Sequence, residues 1–257
     1  MQDFDDILER VRGTPRCAVP AALCDGSLGA LEASGVAQKV VMSALWLSSR
    51  YVREGRRVRV FCPMAEIATL VGVDRQRRLG PVREAVAAAA NARLDSAGRD
   101  IAVFRMLEEA DLHGVAGAHW IVSDAFAEIF ADPTSFGVID MREMRGLRSG
   151  LDMLIYRRVV RVRNMRTAQT ALDRDEVAQA LGGIDRTGRA SEKVRRAAGR
   201  VASCLGDRVD VASRRVAGGR RLAGWTLSVA RDAAAHDPGM CADTKRASPE
   251  AGPFKAA

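Results

Sequence analysis

The chain runs twice through one order of hydrophobic periodicities, and that order leaves few folds open. From Val36 to Arg53 apolar residues recur at helical spacing (Val36, Val40, Val41, Ala44, Leu45, Leu47, Tyr51). The Glu54–Gly55 stop leads into VRVFCP, a short strand ended by Pro63, which also suits the first turn of a helix. PMAEIATLVGV places Met64, Ile67, Ala68 and Val71 on one face, with Gly72 as a turn. A longer helix is predicted from Asp74 to about Arg93, through the Ala-rich VREAVAAAANARL. Two strand-like runs close the unit, IAVFRML and HWIVSD, with EEADLHGVAGA as the loop between them. Helix, strand, helix, tight turn, helix, strand, strand is the order of a winged helix-turn-helix, whose last hairpin is the wing.

The second half repeats it. DAFAEIFADP reads as a short closing helix and FGVIDM as a short strand. MREMRGLRSGLDMLIYRRVVRVRN reads as a helix broken near Ser149–Gly150. LDRDEVAQALGGI is a short helix ending in a Gly turn, with Asp173 as N-cap and Glu176 three residues on, a capping-box pair. RASEKVRRAAGRVASCL is the second helix of the pair. VDVASRRV and RRLAGWTLSV flank Ala217-Gly218-Gly219, a hairpin turn. The expected fold is α+β and helix-rich, two tandem winged helix-turn-helix domains related by an internal pseudo-repeat. The expected limits are a mostly irregular N-terminal arm over 1–33, domain 1 over 34–131, domain 2 over 132–231, and a disordered tail over 232–257. The arm opens with a short amphipathic piece and continues rich in Gly, Pro and small residues, and the tail has no periodicity.

Composition narrows the function classes. Of 257 residues, 47% are apolar and 28% charged, the balance of a soluble globular protein rather than a chain disordered throughout. No run of 18 uncharged apolar residues exists, and the longest candidate, Val82–Ala92, carries Arg83 and Glu84. The acidic start MQDFDDILER does not read as a secretory signal. Five cysteines (17, 24, 62, 204, 241), with no CxxC among them, fit a reducing cytosol better than a disulfide framework. Cys62 and Cys204 sit in apolar patterns and are expected to be buried.

The net charge is +8, and its location says more than its size. Arg189–Arg231 holds eleven basic residues against Glu192, Asp207 and Asp210, so this one stretch carries the whole excess. Concentrated charge of this sign suggests a polyanion partner. The plainer reading is a solvated Arg-rich face. At about 100° per residue, Lys193, Arg196 and Arg200 share a narrow arc, and Arg189 opens the same helix. Val194, Ala197, Ala198, Val201 and Leu205 occupy a separate arc. One face can therefore pack on the domain while the other enters a major groove. Arg214-Arg215 and Arg220-Arg221 beside the Gly-Gly turn would place guanidinium groups at the wing tip. The first module offers Arg75, Arg77, Arg78 and Arg83 at the start of its longer helix, where backbone amides also face phosphate.

Catalytic constellations are not apparent in the sequence. His113, His119 and His236 form no HxH or HxxxH, no GxxxxGK[ST] run exists, and the only tyrosines, Tyr51 and Tyr156, lie on helix faces among apolar neighbours. The carboxylate groups Asp5-Asp6, Glu108-Glu109 and Asp173/Asp175/Glu176 need no more than capping and surface roles. No enzyme, metal or cofactor is expected.

Three stretches carry a resemblance: WIVSDAFAEIFADPTSFGVIDMREMRGLRSGLDMLIYRRV, then TALDRDEVAQALGG, then KVRRAAGRVASCL with the hairpin after it. Together they resemble the initiator proteins of iteron-containing bacterial plasmids. That family shows an Ile-Asp-Leu-like strand followed by a Leu-Ser-x-x-Ala-x-x-Leu-Tyr-like helix. Here the helix reads Leu147-Arg148-Ser149-Gly150-Leu151-Asp152-Met153-Leu154-Ile155-Tyr156, departing from the pattern at Gly150, Leu151 and Ile155. The resemblance covers 36–230 in layout and is specific over 120–230. It implies a cytoplasmic, plasmid-associated bacterial protein that binds repeated double-stranded origin sites, helps open the origin, and recruits the host initiator ATPase and the replicative helicase. It also implies a monomer–dimer equilibrium in which the N-terminal domain makes the dimer contact. A winged-helix transcription regulator reading an operator, and an adaptor that binds DNA without sequence preference, are the competing readings.

Overall fold

One helix of each module is turned toward the other module, and the residues that begin those two helices decide how closely the modules approach. The computed structural model describes residues 16–73, 79–131, 135–183, 189–217 and 222–231. In chain order they form β1 (Arg16–Pro20), α1 (Ala21–Asp25), a 3-10 turn (Gly29–Ala33), α2 (Gly35–Arg53), β2 (Val60–Pro63), α3 (Met64–Val71) and α4 (Gly80–Ala89). Then come β3 (Arg93–Ser96), β4 (Arg99–Ala102), β5 (Phe104–Leu112), β6 (Val115–Val122) and α5 (Asp124–Ala131). The second half holds β7 (Phe136–Asp140), α6 (Met141–Arg145), α7 (Gly150–Val162), β8 (Gln169–Asp173), α8 (Arg174–Ala180), α9 (Ala190–Leu205), β9 (Asp207–Arg215) and β10 (Leu222–Arg231).

The repeat is explicit in the sheets. Two of the four sheets among the described residues are three-stranded and antiparallel, ordered β2-β6-β5 and β8-β10-β9, so each module's last strand lies in the middle. Each middle strand carries a buried tryptophan whose indole N–H donates to a serine hydroxyl: Trp120 to Ser48 (2.8 Å) and Trp225 to Ser191 (3.1 Å). The helix pairs α3–α4 and α8–α9 pack beside these sheets. Gly72 ends α3 in the left-handed region (φ 73), and a side chain there would also strike the Arg145 carbonyl 2.8 Å away.

The modules meet where α2 and α7 begin. Ser34 and Ser149 cap the two helices through their side chains, and each is followed by glycine. A Cβ on Gly35 would lie 2.8 Å from the Ser149 carbonyl carbon, and one on Gly150 would lie 1.8 Å from the Glu32 carbonyl oxygen. The two Ser-Gly pairs thus let two helix starts cross at backbone contact, which accounts for glycine at the position where the resembled helix pattern departs. Lys39 of α2 reaches across, donating to the carbonyls of Val71 (2.6 Å) and Leu147 (2.9 Å). Arg157 of α7 is fully buried. It donates to Glu32 Oε1 (2.5 Å) and to the carbonyls of Leu23 (2.9 Å) and Gly26 (3.2 Å). Buried between α7 and the helices of its own module, α2 exposes little beyond its ends.

Several sequence expectations are corrected. Residues 16–33 are not an irregular arm. β1 pairs with β7 from Arg16↔Asp140 to Pro20↔Phe136, and Cys17, Val19, Leu23, Cys24, Leu28 and Leu31 are buried. That segment gains its order from strands some 120 residues away, a partner that local periodicity does not reveal. The long helix expected from Asp74 to Arg93 is described only as Gly80–Ala89. Beyond it Arg93–Ser96 turns back against Arg99–Ala102 through Ala97-Gly98 (φ 51 and 74). The loop expected at EEADLHGVAGA is hairpin: β5 runs to Leu112 and β6 starts at Val115, joined by His113-Gly114 (φ 54 and 79). Both are two-residue turns with positive φ at each position, the type I′ geometry, but neither has the Asn or Asp that makes such turns legible. The expected break at Ser149–Gly150 and the cap at Asp173, whose N–H donates to Glu176 Oε2 (2.8 Å), are present. The tail, 232–257, lies outside the described residues.

Candidate nucleic-acid interface

α9 is the element on which sequence and structure agree most closely. Ala190, Val194, Ala197, Ala198, Val201 and Leu205 are its buried face, and Ser191 fixes Trp225 of the sheet beneath. Arg189 stands at the N-cap position in the left-handed region (φ 56), exposed. Lys193 is half-buried, and Arg195 and Arg196 are exposed. Arg196 pairs with Glu192 one turn back, a contact between two solvent-exposed side chains. Such pairs are worth a few tenths of a kcal/mol and yield readily to a stronger anion.

Arg200 is different. Its Nη2 donates to Asp152 Oδ1 at 2.6 Å, and its Nε lies 3.1 Å from both carboxylate oxygens. Asp152 has no exposed surface, and its Oδ2 also accepts from the N–H groups of Arg148 (2.9 Å) and Ser149 (3.0 Å). Burial pushes this carboxyl up, but the bonds from Arg200 and the two backbone amides outweigh it and hold the group below its ordinary value. The helical-wheel arc therefore collects Arg200 with Lys193 and Arg196, whereas the fold gives Arg200 a buried partner on another helix.

On the hairpin, Arg214 pairs with Asp173 at the start of α8, and Arg215 is exposed. Arg208, one of the eleven basic residues of the stretch but not among the candidate contacts, is exposed beside Asp210 (3.0 Å). Arg220 and Arg221 at the turn lie outside the described residues, as do Arg75, Arg77 and Arg78. Two carboxylates from outside the basic stretch, Asp152 and Asp173, thus neutralise part of its +8.

The first module presents a different face. Arg83 on α4 is exposed, 3.9 Å from Glu109. Around it the helix shows Glu84, Ala87 and Ala88 to solvent, with Asn91 exposed just past its end. Its hairpin is acidic, with Glu108, Glu109 and Asp111 exposed on β5, and Glu108 is held by His119 (2.7 Å). A second arginine cluster, Arg50 to Arg59, was not singled out from sequence. Its charge is countered by Glu54, Asp124 and Glu108, while Arg53 donates to the Ala18 carbonyl.

Both tyrosines and three of the four described cysteines are buried. Tyr156 is fully buried, its hydroxyl donating to Glu143 Oε2 (2.7 Å) and accepting from the Asp140 N–H (3.0 Å), and Tyr51 is buried beneath Arg56. Burial holds the Tyr156 hydroxyl well above its ordinary value. Cys62 is buried, and Cys204 is only half so. Among the described residues no three His, Cys, Asp or Glu side chains gather as a metal site, and no helix is long and apolar enough to cross a membrane.

No protein-family model matches the sequence. No curated protein matches it either. The fold, however, has solved counterparts. One is the crystal structure of the Pi initiator protein in complex with iteron DNA, with a TM-score of 0.60 over 86% of this chain and 98% of that one. Identity between the two is 11%, so the likeness is one of fold. It spans both modules, and it falls within the group of proteins that the sequence resembles.

Proposed function

We propose that the protein is a sequence-specific double-stranded-DNA-binding initiator of plasmid replication that recognises repeated origin sites. The observation that carries this reading is α9. Its exposed face bears Arg196 with Lys193 alongside, and β9 next in the chain bears exposed Arg215, all on a module whose fold is shared with a protein solved on iteron DNA. Lys and Arg on such a face neutralise phosphates and donate to guanine edges in the major groove. Domain 2 (132–231) is proposed as the main DNA contact through Arg189, Lys193, Arg196, Arg214, Arg215, Arg220 and Arg221. Arg75, Arg77, Arg78 and Arg83 of domain 1 (34–131) are proposed to contribute on the same duplex.

Origin opening, recruitment of the host initiator ATPase and replicative helicase, and a monomer–dimer equilibrium in the bacterial cytoplasm belong to the same proposal. The action is proposed to be binding without strand scission and without a metal or other cofactor. The acidic hairpin of β5 and β6 favours a protein-facing role for that part of domain 1, because carboxylates repel phosphate.

The test is a footprint of the purified protein on DNA flanking its gene. Protection of direct repeats of about 20 base pairs, two modules reading successive turns, is the expected result. A single inverted repeat would support an operator-binding regulator instead, and no protected site would support a non-specific adaptor. Supercoiled DNA carrying the repeats, incubated with Mg²⁺, should remain unnicked. A covalent adduct lost in Tyr156→Phe would overturn the non-enzymatic reading.

A further inference from the structure

Arg200 stands on the exposed arc of α9, yet its guanidinium is turned to a carboxylate that water does not reach. Two of its N–H-bearing nitrogens serve Asp152. Asp152 in turn is the N3 residue of α7, tied to Ser149 by the capping box and to the Arg148 amide. A phosphate that took over those bonds would strip a buried carboxylate of its cation, and only Nη1 and the outer N–H of Nη2 are left to meet one while the pair stays intact. Arg196, by contrast, would give up only an exposed partner on its own helix. Side-chain exposure follows the same division, 43% for Arg200 against 71% for Arg196.

The corner that Arg200 grips is also where the modules meet. Gly35 of α2 abuts the Ser149 carbonyl, and Lys39 of α2 donates to the carbonyl of Leu147, two residues before that cap. Packing along α7 and the bond from Arg163 to the Leu205 carbonyl (3.1 Å) also hold α9, but this ion pair is what ties it to the helix start that domain 1 packs against.

We propose that Arg200 and Asp152 are positioning residues: the pair docks α9 onto the start of α7, and so onto domain 1, while the duplex is met by Lys193 and Arg196. This rests on the DNA-binding reading. It assigns Arg200 a role opposite to the one its helical-wheel position implies.

Salt dependence separates the two roles. Each phosphate contact contributes about 0.9 to the slope of log affinity against log salt, whereas a misplaced helix lowers affinity without that signature. The full chain and its R196Q, R200Q, R200K, D152N and D152N/R200Q variants would be titrated with the footprinted duplex across a salt series and melted without DNA.

R196Q should reduce the slope by about 0.9. R200Q should lower affinity by a similar factor at every salt concentration, leave the slope unchanged, and lower the melting temperature. R200K, which keeps the charge but not the planar fork, should behave like R200Q, and it carries the test if R200Q fails to fold. D152N/R200Q, having no stranded buried carboxylate, should recover melting temperature and affinity relative to R200Q. A slope reduced by about 0.9 in R200Q, with R200K binding as wild type and no recovery in the double variant, would overturn the proposal. Absence of salt-dependent duplex binding by the wild-type chain would refute the DNA-binding reading itself, and the proposal with it.

Discussion

Replacing Lys39 by methionine removes a buried ammonium from the junction between the modules and should change how stability responds to alkaline pH. Lys39 is 3% exposed, and burial lowers its pKa from 10.5 to about 8, only partly opposed by the nearby Asp152 and Cys204. In the unfolded chain the same amine titrates near its ordinary value. Between about pH 8 and 10.5 the unfolded state therefore holds a proton that the folded state has released, and stability rises with pH. A difference of about 2.5 units, at 1.36 kcal/mol each, amounts to about 3 kcal/mol across that window. Other groups titrate there too, so the quantity to measure is the difference between wild type and Lys39→Met in urea unfolding at pH 7, 8, 9, 10 and 10.5. At pH 7 the variant is relieved of the desolvated charge but loses the bonds to the Val71 and Leu147 carbonyls, so the offset can take either sign. The trend cannot. Wild type should gain on the variant by about 3 kcal/mol as pH rises, and a difference that stays constant, or that falls, would refute the argument.

The other stability predictions concern the same junction. Arg157→Met strands the buried Glu32 carboxylate and should cost about 3–5 kcal/mol in urea unfolding, whereas Glu32→Met/Arg157→Met should recover most of the loss; equal cost in single and double variants would contradict this. Gly150→Ala drives a methyl against the Glu32 carbonyl and should cost at least about 1–3 kcal/mol, measured as a lowered urea midpoint. Gly199→Ala in α9, where an added Cβ meets nothing within 4 Å, should instead gain about 0.5–1 kcal/mol, so a loss there would show an unrecognised contact.

The sequence by itself determined what depends on near neighbours along the chain. Periodicity gave α3 and α9 with their buried faces and α2 as a helix without its burial on nearly every side, Gly72 and the Asp173–Glu176 pair gave helix ends, and the break before α7 was legible in Arg148-Ser149-Gly150. Those signals act over a few residues, through side-chain spacing, capping and φ preference. The basic stretch was also plain, because charge needs no fold to be counted. Tertiary structure alone decided which charges are free to act and which are committed. It joined β1 to β7, burying much of a small-residue arm, and it brought Glu32 to Arg157 across 125 residues. It set Glu108, Glu109 and Asp111 on a hairpin where periodicity reads a loop, and it turned Arg200 toward a carboxylate on another helix. Those outcomes follow from burial and long-range pairing, which lower the local dielectric and select partners that no spacing along the chain encodes.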